Sequence, residues 1–173
     1  LTTTLLAPST LVDITATNVT LDLNGFTVGG PHTCLANGVV TPGNTCMSGT
    51  GNPPLIYIQG RAARIYGGFV DGGGGNGIHA YFGTTDTSGG PTIEDVIVSN
   101  NRERGIILST SGATLRNVTA VFNKDGVFAG SEALVDGVRA SRNNGYGLRV
   151  GARSVVNKAV TRLNGGDGVV SGG

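Results

Sequence analysis

Apolar residues in this chain fall at fixed distances from a recurring asparagine. The asparagines are Asn101, Asn123, Asn143 and Asn164. Eight residues before them stand Ile93, Leu115, Val135 and Val156. Five before stand Val96, Val118, Val138 and Ala159, and three before stand Val98, Ala120, Ala140 and Thr161. A glycine and an aliphatic residue then follow, at Gly105-Ile106, Gly126-Val127, Gly147-Leu148 and Gly168-Val169, in steps of 21 residues. Past each glycine the apolar positions alternate: Ile106/Leu108, Val127/Ala129, Leu148/Val150, Val169/Ser171. Alternation by two marks a short strand with one face turned inward. Each period therefore predicts three short strands and three turns.

The same frame runs toward the start of the chain. Ile78/Ala80 precede Ile93; Ile56/Ile58 precede Ile65, Gly68 and Val70; Ile14/Ala16 precede Leu23, Phe26 and Val28. Leu1, Thr4 and Leu6 take the three offsets before Ile14. Two insertions interrupt the period, at about 29–54 and 81–91. One such unit cannot bury its inward face alone. Stacked at roughly 4.8 Å, the units form a continuous core, and the asparagines become a ladder of amides bonded from unit to unit. The expectation is an all-β solenoid, one domain over 1–173, with about seven coils of about 21 residues. A leucine-rich repeat has a similar period, but its Leu/Asn consensus is missing.

The 21-residue coils, the asparagine ladder and the segment Val19-Thr-Leu-Asp-Leu-Asn-Gly-Phe-Thr-Val28 resemble the right-handed parallel β-helix proteins of the pectate-lyase type. The resemblance covers essentially the whole chain and implies the fold. It implies no single activity, because that family includes lyases, hydrolases, epimerases, tailspikes, adhesins and structural proteins.

Composition agrees with many short strands and tight turns. The 31 glycines lack the every-third-residue period of collagen. The net charge of +1 gives no electrostatic case for a nucleic-acid partner. No apolar run approaches the ~18 residues of a membrane span. The chain opens at Leu1 without Met or signal peptide, as a mature secreted form or a fragment does. Asn18-Val-Thr20 and Asn117-Val-Thr119 match the glycosylation sequon.

Candidate chemistry is sparse. Glu94 and Asp95 are adjacent, with Arg116 one coil on and Asp136 two coils on. Enzymes of the resembled family act on polysaccharides with carboxylate clusters, which makes Glu94, Asp95, Asp136 and Arg116 the weak catalytic candidates. The simpler reading of Glu94, Arg116 and Asp136 is a surface ladder of alternating sign, worth little per pair. His32 and His79 lack a second histidine at ligand spacing, so neither a metal nor a cofactor is expected. The Gly72–Gly75 run lacks the Gly-Lys-Ser/Thr of a phosphate loop and replaces the asparagine in a tight corner. One outward column, Thr15, Tyr57, His79, Ile107, Phe128, Arg149 and Val170, offers a lateral apolar face at Tyr57, Ile107, Phe128 and Val170. It is either an interface or the floor beneath one of the insertions.

These features favour a non-catalytic structural subunit, secreted or at the cell surface, that stacks head to tail on copies of itself. The end-to-end contact would use Leu1, Thr4 and Leu6 at one end and Val169, Val170 and Ser171 at the other. Residues 1–100 hold two arginines against six carboxylates, and residues 133–173 hold six Arg or Lys against two, so unlike charges would meet. A carbohydrate-binding or adhesive module, with an extracellular polysaccharide as partner, is the second reading. A polysaccharide lyase or hydrolase is the third.

Cys34 and Cys46 lie in one Gly/Pro/Thr/Asn-rich stretch. They predict a local disulfide and an oxidising compartment, the alternative being two free thiols. The bridge would close a loop with 11 residues between its cysteines, worth on the order of 3 kcal/mol by chain entropy. Non-reducing mass spectrometry is expected to find Cys34 linked to Cys46, and reduction to leave the repeats folded. Two alkylatable thiols in the native protein would refute the bridge.

Overall fold

The computed structural model describes residues 3, 5–6, 10–30, 52–82 and 89–172. Cys34, Cys46, His32, Leu1 and Thr4, and with them the disulfide and part of the end contact, lie outside the described residues. The described chain is all-β, without a helix, and every strand pairing in it is parallel.

Three strand columns account for the pairing. The first runs through β3 (Thr20–Asp22), the start of β6 (Arg64–Asp71), the start of β8 (Thr92–Ser99), β10 (Thr114–Arg116), β13 (Leu134–Asp136) and β16 (Val155–Asn157). The second runs through β1 (Leu5–Leu6), β4 (Thr27–Gly29), the ends of β6 and β8, β11 (Thr119–Val121), β14 (Arg139–Ser141) and β17 (Val160–Arg162). Together these columns form an 11-stranded sheet that bends between them. The third column is a separate 7-stranded sheet of β2 (Val12–Ile14), β5 (Ile56–Ile58), β7 (Ile78–Ala80), β9 (Arg104–Leu108), β12 (Asp125–Ala129), β15 (Leu148–Val150) and β18 (Val169–Ser171).

The inward residues of the three columns make one core. Ile65, Ile93, Leu115 and Val135, then Val70, Val98, Ala120 and Ala140, then Ile56, Ile78, Ile106, Val127 and Leu148 have no solvent exposure. Burying a Val, Leu or Ile side chain contributes about 1.5–3 kcal/mol, against the large entropic cost of ordering so much turn.

The asparagine ladder is present and continuous. Nδ2 of Asn101 donates to Oδ1 of Asn123 at 2.9 Å, Asn123 to Asn143 at 3.2 Å, and Asn143 to Asn164 at 3.0 Å. Each of these acceptors also takes the backbone N–H of the preceding asparagine at 3.0 Å. The other amide hydrogens go to carbonyls, for instance from Asn123 to Val98 and from Asn143 to Ala120. Gly73 occupies the ladder position one repeat before Asn101 and gives its N–H to Oδ1 of Asn101 at 2.9 Å. A Cβ there would lie 2.7 Å from that oxygen, so the Gly72–Gly75 corner does replace the asparagine turn.

The corners share a backbone device. Asp95, Asn117, Gly137 and Lys158, at the bend between the first two columns, all have left-handed backbone, as do Asn100, Phe122, Arg142 and Leu163 ahead of the ladder. So do Asn18, Ala62, Gly112, Glu132 and Arg153 at the third corner.

The first repeats depart from the expected register. Leu21, not Leu23, pairs with Ile65, and Val12 and Ile14, not Ile14 and Ala16, pair with Ile56 and Ile58. One cause explains both shifts. Four residues, Leu23 to Phe26, separate β3 from β4, where β6 passes the same corner with Gly67 and Gly68 alone. Counting back from Val28 therefore stops two residues short. The extra Leu23 is fully buried and fills the space above Gly68, whose Cβ would lie 2.5 Å from that of Leu23. Leu5, rather than Leu6, pairs with Val28, because the connection to the third column is one residue shorter there than after Asp71.

Replacing Asn143 by Leu removes the acceptor of both Asn123 donors and the side-chain donor to Oδ1 of Asn164. Each buried polar group left unsatisfied costs about 1–3 kcal/mol. The urea midpoint of Asn143→Leu is expected to fall accordingly; an unchanged midpoint would show that the ladder contributes nothing to stability.

Candidate functional site

The weak catalytic candidates all lie on the outward side of the first column and its bend. Tyr66, Glu94, Arg116, Asp136 and Asn157 stand in direct register. Glu94 is held from both sides: Arg64 reaches its Oε2 at 2.6 Å and Arg116 its Oε1 at 3.3 Å. Both carboxylate oxygens are thus committed to guanidinium groups. Asp95 is exposed, at the left-handed bend, and accepts the Asn117 amide at 3.1 Å. Asp136 stands two repeats from Glu94, or about 10 Å at the usual strand spacing. Its buried Oδ1 has no hydrogen-bond partner among the described residues.

The alternating ladder is therefore formed at its Glu94–Arg116 step. Arg64, which the frame did not single out, completes it. Arg64 also lies over the Tyr66 ring, 4.6 Å from its centroid. The Tyr66 phenol is held protonated above its ordinary range, chiefly by its hydrogen bond to Asp22. No described group of three or more His, Cys, Asp or Glu is placed to hold a metal ion. The geometry keeps Glu94, Asp95 and Asp136 apart from one another's chemistry, each in a separate local arrangement.

The lateral column is Asp13, Tyr57, His79, Ile107, Phe128, Arg149 and Val170, with Asp13 where Thr15 was expected. The replacement follows from the same two-residue shortfall, and Asp13 takes the Gln59 amide at 2.9 Å. Tyr57, His79, Ile107, Phe128 and Val170 are half-buried, and Arg149 is exposed. Tyr57 and His79 stack tilted with centroids 5.3 Å apart, and His79 meets Tyr81 at 6.5 Å. The Arg149 guanidinium lies 5.7 Å from the Phe128 centroid and 6.0 Å from that of Tyr146. Rings and cation so arranged cover one another as well as any ligand.

Two polar clusters lie beyond the sequence-based candidates. Asp71 accepts the Ser99 hydroxyl at 2.5 Å and the Asn100 amide at 2.8 Å. Buried Asp125 receives the Tyr146 N–H at 3.3 Å, and Arg104 stands 3.6 Å from its other oxygen. No constant residue type marks either cluster: Asp71 is the one acid in its column, and the residue before the repeat glycine changes from Arg104 to Asp125, Tyr146 and Asp167.

Searches against family models, curated proteins and solved structures find no match for this chain.

His79 is the described group most open to titration near neutrality. Burial between the rings, and secondarily the charge of Arg104, lower its pKa from the ordinary 6.5. The unfolded chain then takes up this proton more readily than the folded one. Stability from this group is complete above 6.5 and is lost as pH falls toward the depressed folded value. The melting temperature is expected to fall over that range, and less so in His79→Gln. Equal pH dependence in the two proteins would refute the assignment.

Proposed function

We propose that the chain winds as a right-handed parallel β-helix of about seven coils, and that it is a non-catalytic structural subunit stacking head to tail on copies of itself. Parallel strands that recur every 21 residues in three columns support the winding, and crossovers between parallel strands are right-handed in about 98% of cases. The resemblance to pectate-lyase-type β-helices agrees with it.

One observation carries the assembly. Val156 and Val169, in the last coil, occupy inward positions whose occupants one coil earlier, Val135 and Leu148, have no exposure; theirs is 36% and 50%. Val155, Val160 and Leu163 are exposed on the same coil. Strands β16, β17 and β18 each have a described partner on one side alone. An apolar edge of this kind is a template for a further β-coil. A second copy is the occupant best matched in charge, since its acidic first hundred residues would meet the basic end. Repetition of such a heterologous contact gives an open filament. An extracellular or cell-surface location, where a Cys34–Cys46 bridge would form, fits this role. The second reading, a carbohydrate-binding module, draws on the half-buried rings of the lateral column.

Sedimentation velocity and electron microscopy at low salt test the assembly. Species growing with concentration into rods are expected, with Val169→Asp and Val156→Asp shifting the protein to monomer. A monomer that persists at high concentration, or rods unaffected by either substitution, would overturn it.

A further inference from the structure

The outward face of the 11-stranded sheet carries a groove of about 540 Å³ at its bend. Gly137, with a φ of +70°, lies in its lining at the bend, and Oδ1 of Asn117 stands 2.8 Å from where a Gly137 Cβ would lie. Asn117 and Lys158 stand before and after Gly137 in the same left-handed column, and Thr119, Arg139 and Val160 line the second strand column beside it. The Asn117 amide nitrogen is already given to Asp95. The donors available to the groove are the Arg139 guanidinium, the Lys158 ammonium, the Thr119 hydroxyl and the second hydrogen of the Asn117 amide.

Two cations share this groove with no carboxylate in its lining. Among the described residues, carboxylates take Arg64, Arg104, Arg116, Lys124 and Arg153 into ion pairs. Arg139 and Lys158 enter none of these, although they come from successive repeats and line the same groove. No Asp or Glu lines it. Two like charges beside one concave surface raise the local potential and attract a counter-ion. A guanidinium offers a planar fork of donors that matches a carboxylate, sulfate or phosphate, and an ammonium adds a point charge.

We propose that this groove binds an oxyanion, held by Arg139 and Lys158 over the Gly137 corner. Ala159 and Val160 supply an apolar wall beside it, which suits an anionic group borne on a larger body as well as a free ion. The shared chemistry is the oxyanion; its source is either a free inorganic anion or a sulfated or carboxylated glycan. Lys158, Ala159 and Val160 belong to the coil at which stacking is proposed, so binding is measured at concentrations where the protein sediments as a monomer.

The test is an NMR titration of the full chain at low ionic strength in chloride. Three probes are used: inorganic sulfate, a sulfated oligosaccharide, and the uncharged oligosaccharide of the same backbone. Inorganic sulfate is expected to shift the amide signals of Asn117, Gly137 and Lys158. Arg139→Gln and Lys158→Gln should each weaken binding by about tenfold, the scale of one lost charge-assisted hydrogen bond. Arg149→Gln, an equal charge change on the other sheet, should leave it unaltered. Tighter binding of the sulfated oligosaccharide than of sulfate assigns the anion to a glycan, and equal binding assigns it to the free ion. No shift at the Gly137 corner, equal weakening by Arg149→Gln, or binding of the uncharged oligosaccharide as tight as the sulfated one would overturn the proposal.

Discussion

Asn123 makes four hydrogen bonds through its side chain and one more through its backbone N–H. Its Oδ1 accepts twice from the repeat before it, one amide hydrogen goes to the Val98 carbonyl of that same repeat, and the other amide hydrogen and the backbone N–H go to Asn143 of the repeat after it. Such an arrangement closes only if every repeat presents an amide at the same height and angle. A slip of one residue would turn the ladder outward and reverse both faces of every strand. The ladder also dictates the glycine that follows it. A Cβ on Gly105, Gly126 or Gly147 would stand 2.5–2.9 Å from the amide nitrogen of Asn123, Asn143 or Asn164 respectively. The asparagine and the glycine three or four residues on are therefore two parts of one packing constraint, and the recurrence of both at about 21 residues follows from it.

The corners show the cost of turning the chain so tightly. Left-handed backbone is disfavoured for residues with a Cβ by roughly 1–2 kcal/mol, and yet Phe122, Arg142, Glu132 and Leu163 adopt it. The pairing of each repeat with its neighbours holds them there. At Arg142 the side chain gains something in return, since its guanidinium lies 5.8 Å from the Phe122 ring of the previous repeat. Asparagine and glycine meet the requirement more cheaply, which accounts for Asn100, Asn117, Gly112 and Gly137 in the same columns.

How much of this was legible depended on whether an indel intervened. From Ile56 onward the inward columns and the ladder follow from spacing, because corner lengths vary by no more than one residue outside the 81–91 insertion and the inward residues are chemically alike. The register failed before Val28, where Leu23 packs over Gly68. Leu21 and Leu23 are both leucines at alternating positions, so the pattern could not say which one pairs with Ile65. The site was less legible than the fold. Outward residues have no repeating chemistry, and the partner of each is one repeat away. Arg64 was invisible as a clamp on Glu94 until the register set them side by side. Asp95 beside Glu94 suggested a carboxylate pair, but the left-handed bend between the columns sends the two into different surroundings.

Those outward columns bear directly on function. In a stack of parallel strands each outward side chain stands about 4.8 Å from its counterparts above and below. The default fate of a charged group is to be neutralised by its neighbour, as Glu94 is by Arg116 and Glu132 is by Arg153. A group so paired is poorly placed to meet a ligand, because a ligand must first displace the pairing. Chemistry on such a surface therefore belongs to positions the stack leaves uncompensated. Arg139 and Lys158 meet that condition, lining one groove beside the Gly137 bend with no carboxylate in its lining. Glu94 and Asp95, which drew attention in the sequence, are taken up by Arg64, Arg116 and Asn117; the two cations of the groove are not so paired.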